Sequence, residues 1–280
     1  MNYLQAIVLG LVQGVAEFLP ISSSGHLALV ELIFGASMAD VDENALFNIL
    51  LHIATLAAVI VAYWRDVRGM LAECGHMVVD LRHGKSLASR NIPTRRLILM
   101  IIIATLPLVL ILPVHNLEER LNAYPWFIGL ALLVTGTLLF FADRMPRGTK
   151  TERNMTIVDA VVIGLAQAVA TLPGLSRSGT TIAAGMGCGL KREFAVKFSF
   201  LMSLLSVLGA LLIELLDVIG GAGVESGMFG KYLVGMIVAG VTGYLSIRLL
   251  LRIIDKGRFG GFSWYCWIVG IVTIVLSFVL

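Results

Sequence analysis

A polar, proline-broken turn set between apolar helical stretches is written twice in this chain, and that duplication constrains the fold most. The first copy, Gln13 to His26, reads QGVAEFLPISSSGH. The second, Gln167 to Thr180, reads QAVATLPGLSRSGT and follows 154 residues later without a gap. Gln13 aligns with Gln167, Ser22 with Ser176, Ser24 with Ser178 and Gly25 with Gly179. Upstream, Gly10 aligns with Gly164. The copies differ in charge: the first carries Glu17 and His26, the second Arg177. Such a chain is expected to fold as one domain, 1–280, made of two related repeats, about 1–143 and 155–280, whose polar turns form one site.

The surroundings of these turns are apolar. Hydrophobic residues make up 58% of the 280 residues and charged residues only 14%, against about 25% in soluble domains. With a mean hydropathy of +0.92, this places the chain among all-α polytopic membrane proteins. The first apolar stretch lacks a basic leader and a small-residue cleavage site, so it is expected to be retained. Cys74, Cys188 and Cys266 are scattered, which argues against a disulfide framework or a zinc site. No basic patch interleaved with aromatics points to nucleic acid.

A helix needs about 20 apolar residues to cross a bilayer. Tyr3 to Phe18 falls short and stops near Pro20, which has no backbone donor. Leu27 to Gly35 is shorter still. The same pattern recurs over Thr156–Leu172 and Thr181–Gly189, so two re-entrant helix-loop-helix hairpins are expected. Six transmembrane helices are expected over 45–64, 97–114, 126–142, 194–216, 232–251 and 264–280. The basic loops 65–96, 143–154, 190–197 and 252–261 should face the cytoplasm, and 36–44, 115–124 and 217–230 the outside. Three spans per repeat is odd, so the second repeat runs upside down. This is an inverted-topology repeat with its polar parts near the midplane. The first hairpin enters from outside, the second from inside, and both termini are expected outside.

Gln13 and Glu17 lie four residues apart and share a helix face. A carboxylate at membrane depth costs about 2.5–3.5 kcal/mol on insertion scales. It can be tolerated as a plain hydrogen-bonding group, or it can serve as a general base or a ligand for a hard cation such as Mg²⁺ or Ca²⁺. Ser22, Ser23, Ser24 and Gly25 precede an apolar helix. One serine is explained as a cap; three beside an invaginated loop suit a phosphate, which helix N-termini attract and which glycine lets approach. His26 is either a buried hydrogen-bonding residue or an acid, base or nucleophile. Arg177 either pairs with Glu17 or clamps a phosphate, with Ser176, Ser178, Thr180 and Thr181 as neighbouring donors. His52, early in a span near the outward face, either faces the pocket or packs, with packing favoured, and Glu31 and Glu214 are read as structural. Gly10 and Gly14 read as a small-residue contact through which the two hairpins cross.

QGVAEFLPISSSGH and LPGLSRSGTT resemble the two signature motifs of the undecaprenyl-diphosphatase family, also called bacitracin-resistance proteins. The resemblance covers essentially the whole chain. It implies a multi-pass plasma-membrane phosphatase that converts a polyprenyl diphosphate lipid to the monophosphate and inorganic phosphate. It also implies a divalent cation, Mg²⁺ or Ca²⁺, and a pocket open to the outer face. The family's Glu-or-Gln-xxx-Glu motif falls on Gln13 and Glu17, the implied metal residues. Its serine–histidine turn falls on Ser22, Ser23, Ser24 and His26, and its Pro-Gly-x-Ser-Arg-Ser-x-x-Thr motif on Pro173, Gly174, Ser176, Arg177, Ser178 and Thr181. Many members carry glutamate where this chain has Gln13, so Glu17 is here the only acid of the motif. The implied catalytic residues are Glu17, Ser23, His26 and Arg177. The implied phosphate-binding residues are Ser22, Ser24, Gly25, Ser176, Ser178 and Thr181. The nucleophile is Ser23, His26 or a water that one of them activates. The expected partners are the lipid substrate and membrane lipids, and a homodimer is compatible with the chain. The rival reading is a polyprenyl-phosphate transporter or flippase, because inverted repeats with broken helices also serve alternating access. The chemical difference between the two copies favours the enzyme. An ion channel is disfavoured because no span carries a ring of like charges.

Overall fold

The computed structural model describes residues 1–34, 41–84, 92–109, 121, 124–219, 228–256 and 259–279. Among these residues the chain is helical, with one isolated bridge between Lys150 and Leu190 and no strand. The helices are α1 (Tyr3–Phe18), α2 (Ser23–Phe34), α3 (Val41–Ala62), α4 (Trp64–Arg82), α5 (Pro93–Val109) and α6 (Pro125–Arg144). They continue as α7 (Ile157–Val169), α8 (Arg177–Gly187), α9 (Arg192–Ile219), α10 (Phe229–Asp255) and α11 (Gly261–Val279). The acidic residues assigned to an outer loop, Asp40, Asp42 and Glu43, have side chains outside the described set, as do Glu31 and Glu214. The loop 115–124 is described only at residues 121 and 124, and the loop 217–230 only at its two ends.

Four helices, α6, α9, α10 and α11, are each long and apolar enough to cross a membrane. The bent pair α3–α4 makes up to a fifth. The protein is therefore an all-helical, polytopic membrane protein. Helices α1 and α7 are apolar but short, and each is followed by a turn and a second short helix. Helix α5 carries Pro107 within it and runs to the edge of the described residues.

The stretch 65–96, expected as a loop, is largely helical: α4 occupies Trp64–Arg82 and leaves α3 at 90°. Its charges obscured the period. Val67 and Met70 pack on the main core, whereas Leu71, Val78, Val79 and Leu81 are exposed. Two-sided character of this kind suits the membrane interface. Buried Arg95 of α5 holds the helix in place, donating from Nε to Glu73 at 2.6 Å and from Nη2 to Asp80 at 2.7 Å.

The two sequence halves exchange their short helices. Helix α1 packs along α10 of the second half, and α7 packs along α5 of the first. Glycine makes both approaches close enough. A Cβ on Gly10 would come within 2.5 Å of the Gly235 carbonyl oxygen, and one on Gly164 would collide with the Ala104 carbonyl. A Cβ on Gly14 would meet the Ala239 carbonyl at 2.5 Å. The small-residue contact thus exists, but it joins α1 to α10 rather than one hairpin to the other. Helices α6 and α11 form a further extensive pair, and α3 also packs along α10. The main core lies between these pairs, around Phe18, Phe198, Phe200, Ile182 and Leu139.

Candidate functional site

Both short hairpins are built by the same local rules. Helix α1 opens on a capping box between Asn2 and Gln5, and α7 on one between Thr156 and Asp159, again 154 residues apart. At the start of α2, Ser22 Oγ accepts from Gly25 N at 3.2 Å; at the start of α8, Ser176 Oγ accepts from Gly179 N at 3.1 Å. Ser22 and Ser24 hydroxyls lie 3.4 Å apart, and those of Ser176 and Ser178 3.3 Å. The turns then touch. Gly174 N donates to Ser24 Oγ at 3.2 Å, and Ser178 Oγ donates to the Leu19 carbonyl at 3.4 Å. Helix α6 supports the second turn through Thr135 Oγ1, which accepts from Ser176 N at 3.1 Å. Helix α11 supports the first through Cys266 Sγ, 3.6 Å from the Pro20 carbonyl.

Glu17 sits where the turns meet, with its residue only 9% exposed. One carboxylate oxygen takes an ion pair from Arg177 Nη2. The other accepts from Ser23 Oγ at 2.8 Å and from Gln13 Nε2 at 3.2 Å. Ser23 and Arg177 are themselves 154 residues apart, each the first residue of its short helix. The duplicated position therefore carries a hydroxyl in one copy and a guanidinium in the other, both on one carboxylate. Opposite charges at this depth offset each other's desolvation.

Fully buried Gln13 also meets His52 Nδ1 at 3.1 Å, so His52 of α3 belongs to this cluster rather than to packing alone. The amide nitrogen has two hydrogens and two acceptors, Glu17 and His52. That places the ring proton of His52 on Nε2. Gln13 Oε1 is left buried without a partner. The repeat repeats here too: Gln167 Oε1 accepts from Ser206 Oγ at 3.3 Å, and Ser206 stands 154 residues after His52. That shared offset is the signal in the sequence that could have found His52.

His26 stands apart from this cluster. Its Nδ1 lies 2.7 Å from the Ser22 carbonyl and its Nε2 lies 2.7 Å from the Tyr265 hydroxyl of α11. A carbonyl only accepts, so Nδ1 carries the proton and Tyr265 donates to Nε2. The rings stack, 5.6 Å between centroids and 8° between planes. Ser22 has φ +73°, the only non-glycine residue with positive φ among the described residues, in a region costing about 1–2 kcal/mol. Thr181 does not reach Glu17; its hydroxyl lies 2.6 Å from Ser199 Oγ and 2.8 Å from the Arg177 carbonyl, bracing the start of α8.

Glu17 and Arg177 line a cleft between α3 and α9, whose walls include Leu56, Val59, Ser203 and Val207. Among the described residues no three His, Cys, Asp or Glu side chains gather as a metal cage. The donors present are Glu17 and the unpartnered Gln13 Oε1. That set fits a hard cation that takes its remaining ligands from phosphate and water, as Mg²⁺ commonly does.

A buried ion pair where two broken helices meet, beside a narrow cleft in an all-helical polytopic membrane protein, defines a membrane protein with an internal polar site. The comparisons narrow this class. Residues 6–272 match the family model described as bacitracin resistance protein BacA, and the chain belongs to that family. It is 37% identical to an undecaprenyl-diphosphatase of Methanosphaera stadtmanae over 284 aligned residues, covering 100% of both chains. It is 40% identical to an undecaprenyl-diphosphatase of Alkaliphilus metalliredigens, covering 99% of each. A Methanobrevibacter smithii undecaprenyl-diphosphatase is 38% identical, with 99% of this chain and 98% of the relative covered.

Proposed function

We propose that this protein is an integral membrane phosphatase that hydrolyses undecaprenyl or a related polyprenyl diphosphate to the monophosphate and inorganic phosphate, returning the lipid carrier to cell-wall polymer synthesis. The observation that carries the reading is Glu17, bonded at once to Ser23 and Arg177 where the two turns touch. Ser23 Oγ attacks the terminal phosphorus while Glu17 takes its proton. The Ser23 O–P bond forms, the bridging P–O bond breaks, and the lipid leaves as its monophosphate. Water then releases inorganic phosphate from Ser23. Arg177 turns from Glu17 to the incoming phosphate, with the serine hydroxyls and helix N-termini beside it. Catalysis here is positioning and electrostatic stabilisation. Glu17 and Gln13 Oε1 would hold a divalent cation, which would supply neutralisation of the phosphate charge. The prenyl tail lies along the α3–α9 cleft.

The fold reading is an inverted-topology repeat with six spans and two re-entrant hairpins, a site open to the outer face and both termini outside. Reciprocal packing of α1 on α10 and α7 on α5, with matched caps and turns, supports it.

Phosphate release from a C55 prenyl diphosphate by the purified protein in detergent, with and without EDTA, tests the function. Release should require the cation and should fall at least about 100-fold in Arg177→Ala and Glu17→Gln. Wild-type rates in either folded variant would refute the site. Absence of release by the folded wild type with cation present would turn attention to lipid transport.

A further inference from the structure

The two turns share the hydrogen bonds of their serine caps but differ in the backbone of the cap serine and in the residue four places after it. In the second copy Ser176 has an ordinary φ of −76°, and Thr180, in the place of His26, has a buried hydroxyl with no partner. Both copies make the backbone bond at this position, His26 N to the Ser22 carbonyl at 3.3 Å and Thr180 N to the Ser176 carbonyl at 2.9 Å, but in the first copy Ser22 is held at φ +73° and His26 Nδ1 adds a second contact to its carbonyl at 2.7 Å. The ring of His26 is in turn fixed by Tyr265, which belongs to neither motif and lies 239 residues along the chain. The strained turn, the histidine and the tyrosine occur together, and only in the copy whose helix starts with a hydroxyl rather than a guanidinium.

We propose that Tyr265 is a positioning residue for the phosphatase reaction, acting through His26 and the Ser22 carbonyl to set the Ser22 turn that presents Ser23 to Glu17. The chain of contacts is Tyr265 Oη to His26 Nε2, His26 Nδ1 to Ser22 O, and Ser22 to the adjoining Ser23, whose hydroxyl is 2.8 Å from Glu17. One end of this chain is anchored independently, because the next residue, Cys266, contacts the Pro20 carbonyl of the same turn. Loss of the tyrosine hydroxyl frees the imidazole to rotate and lets Ser22 relax toward negative φ, carrying Ser23 off Glu17. Tyr265→Phe keeps the stacked ring and removes only the hydroxyl.

The inference rests on the reading of Ser23 and Glu17 given above, and the test separates the two. Phosphate release is measured with C55 prenyl diphosphate and cation in wild type, Ser23→Ala, Tyr265→Phe, Ser22→Gly and the Ser22→Gly/Tyr265→Phe double variant, with thermal unfolding as the folding control. Tyr265→Phe should lower kcat about tenfold with KM within about twofold, because it misplaces the nucleophile without touching the substrate. Glycine adopts positive φ without cost. In the Ser22→Gly background the tyrosine change should therefore lower kcat by no more than about twofold. That non-additivity distinguishes positioning from packing. Effects that multiply independently, or a wild-type or raised kcat in Tyr265→Phe while Ser23→Ala is inactive, would overturn this inference alone. Full activity in Ser23→Ala would overturn both readings.

Discussion

At the scale of single residues, the chemistry turns on which partner each buried polar atom has. Glu17 receives Arg177, Ser23 and Gln13, and Gln13 in turn is oriented by His52. His52 Nδ1 keeps the amide nitrogen toward Glu17 and the oxygen unpartnered. His52→Asn places a carbonyl acceptor near the same point and should retain most activity, whereas His52→Leu should lose about tenfold in kcat/KM. Mn²⁺ binding to the two variants, followed by electron paramagnetic resonance, should weaken only in the leucine variant. Equal behaviour of the two would remove His52 from the site. Gln13, Glu17, Ser23 and Arg177 were legible because a motif binds them to particular turns. Tyr265 was not, and His52 was marked only by its 154-residue offset from Ser206, because their partners depend on where α3 and α11 cross α1 and α2, a fact that no local pattern carries.

At the scale of elements, glycine and one buried arginine do the positioning. Gly10 lets α1 lie against the α10 backbone, so that Gln13 and Glu17, further along α1, reach the centre. Gly10→Val should separate α1 from α10 and destabilise the protein by about 1–3 kcal/mol. Thermal unfolding in detergent should register it, with activity falling in parallel. Helix α4 escaped a reading based on charge because its polar face is long and its apolar residues are divided between core and surface. Arg95 joins it to α5 through Glu73 and Asp80. Arg95→Met should leave those carboxylates without their shared cation. Amide hydrogen exchange across 64–82 should then accelerate by about tenfold or more while α6 and α11 remain protected.

At the scale of the whole molecule, the exchange of short helices between halves explains why one site is made from two turns that lie far apart in sequence. Neither half can complete it: the first supplies Glu17 and Ser23, the second Arg177. The proposed orientation places 143–154 in the cytoplasm. In a Cys74→Ser background, Thr149→Cys should react with a membrane-impermeant maleimide in inside-out vesicles and remain protected in intact cells. Labelling in intact cells would reverse the topology.

Composition and repeated spelling by themselves determined the membrane class, the short broken helices, and Glu17 with the three side chains that gather on its carboxylate. These follow from local physics: an apolar run must be buried in lipid, Pro20 ends a helix, and serine caps the next. Only the tertiary structure decided that Gly10 and Gly14 face α10, that 64–82 is a bent-away helix, and that His26 is held by Tyr265 while His52 reaches Gln13. Those outcomes depend on crossing geometry between helices distant in the chain, and a hydrogen bond requires its partner within about 3 Å whatever the sequence between them.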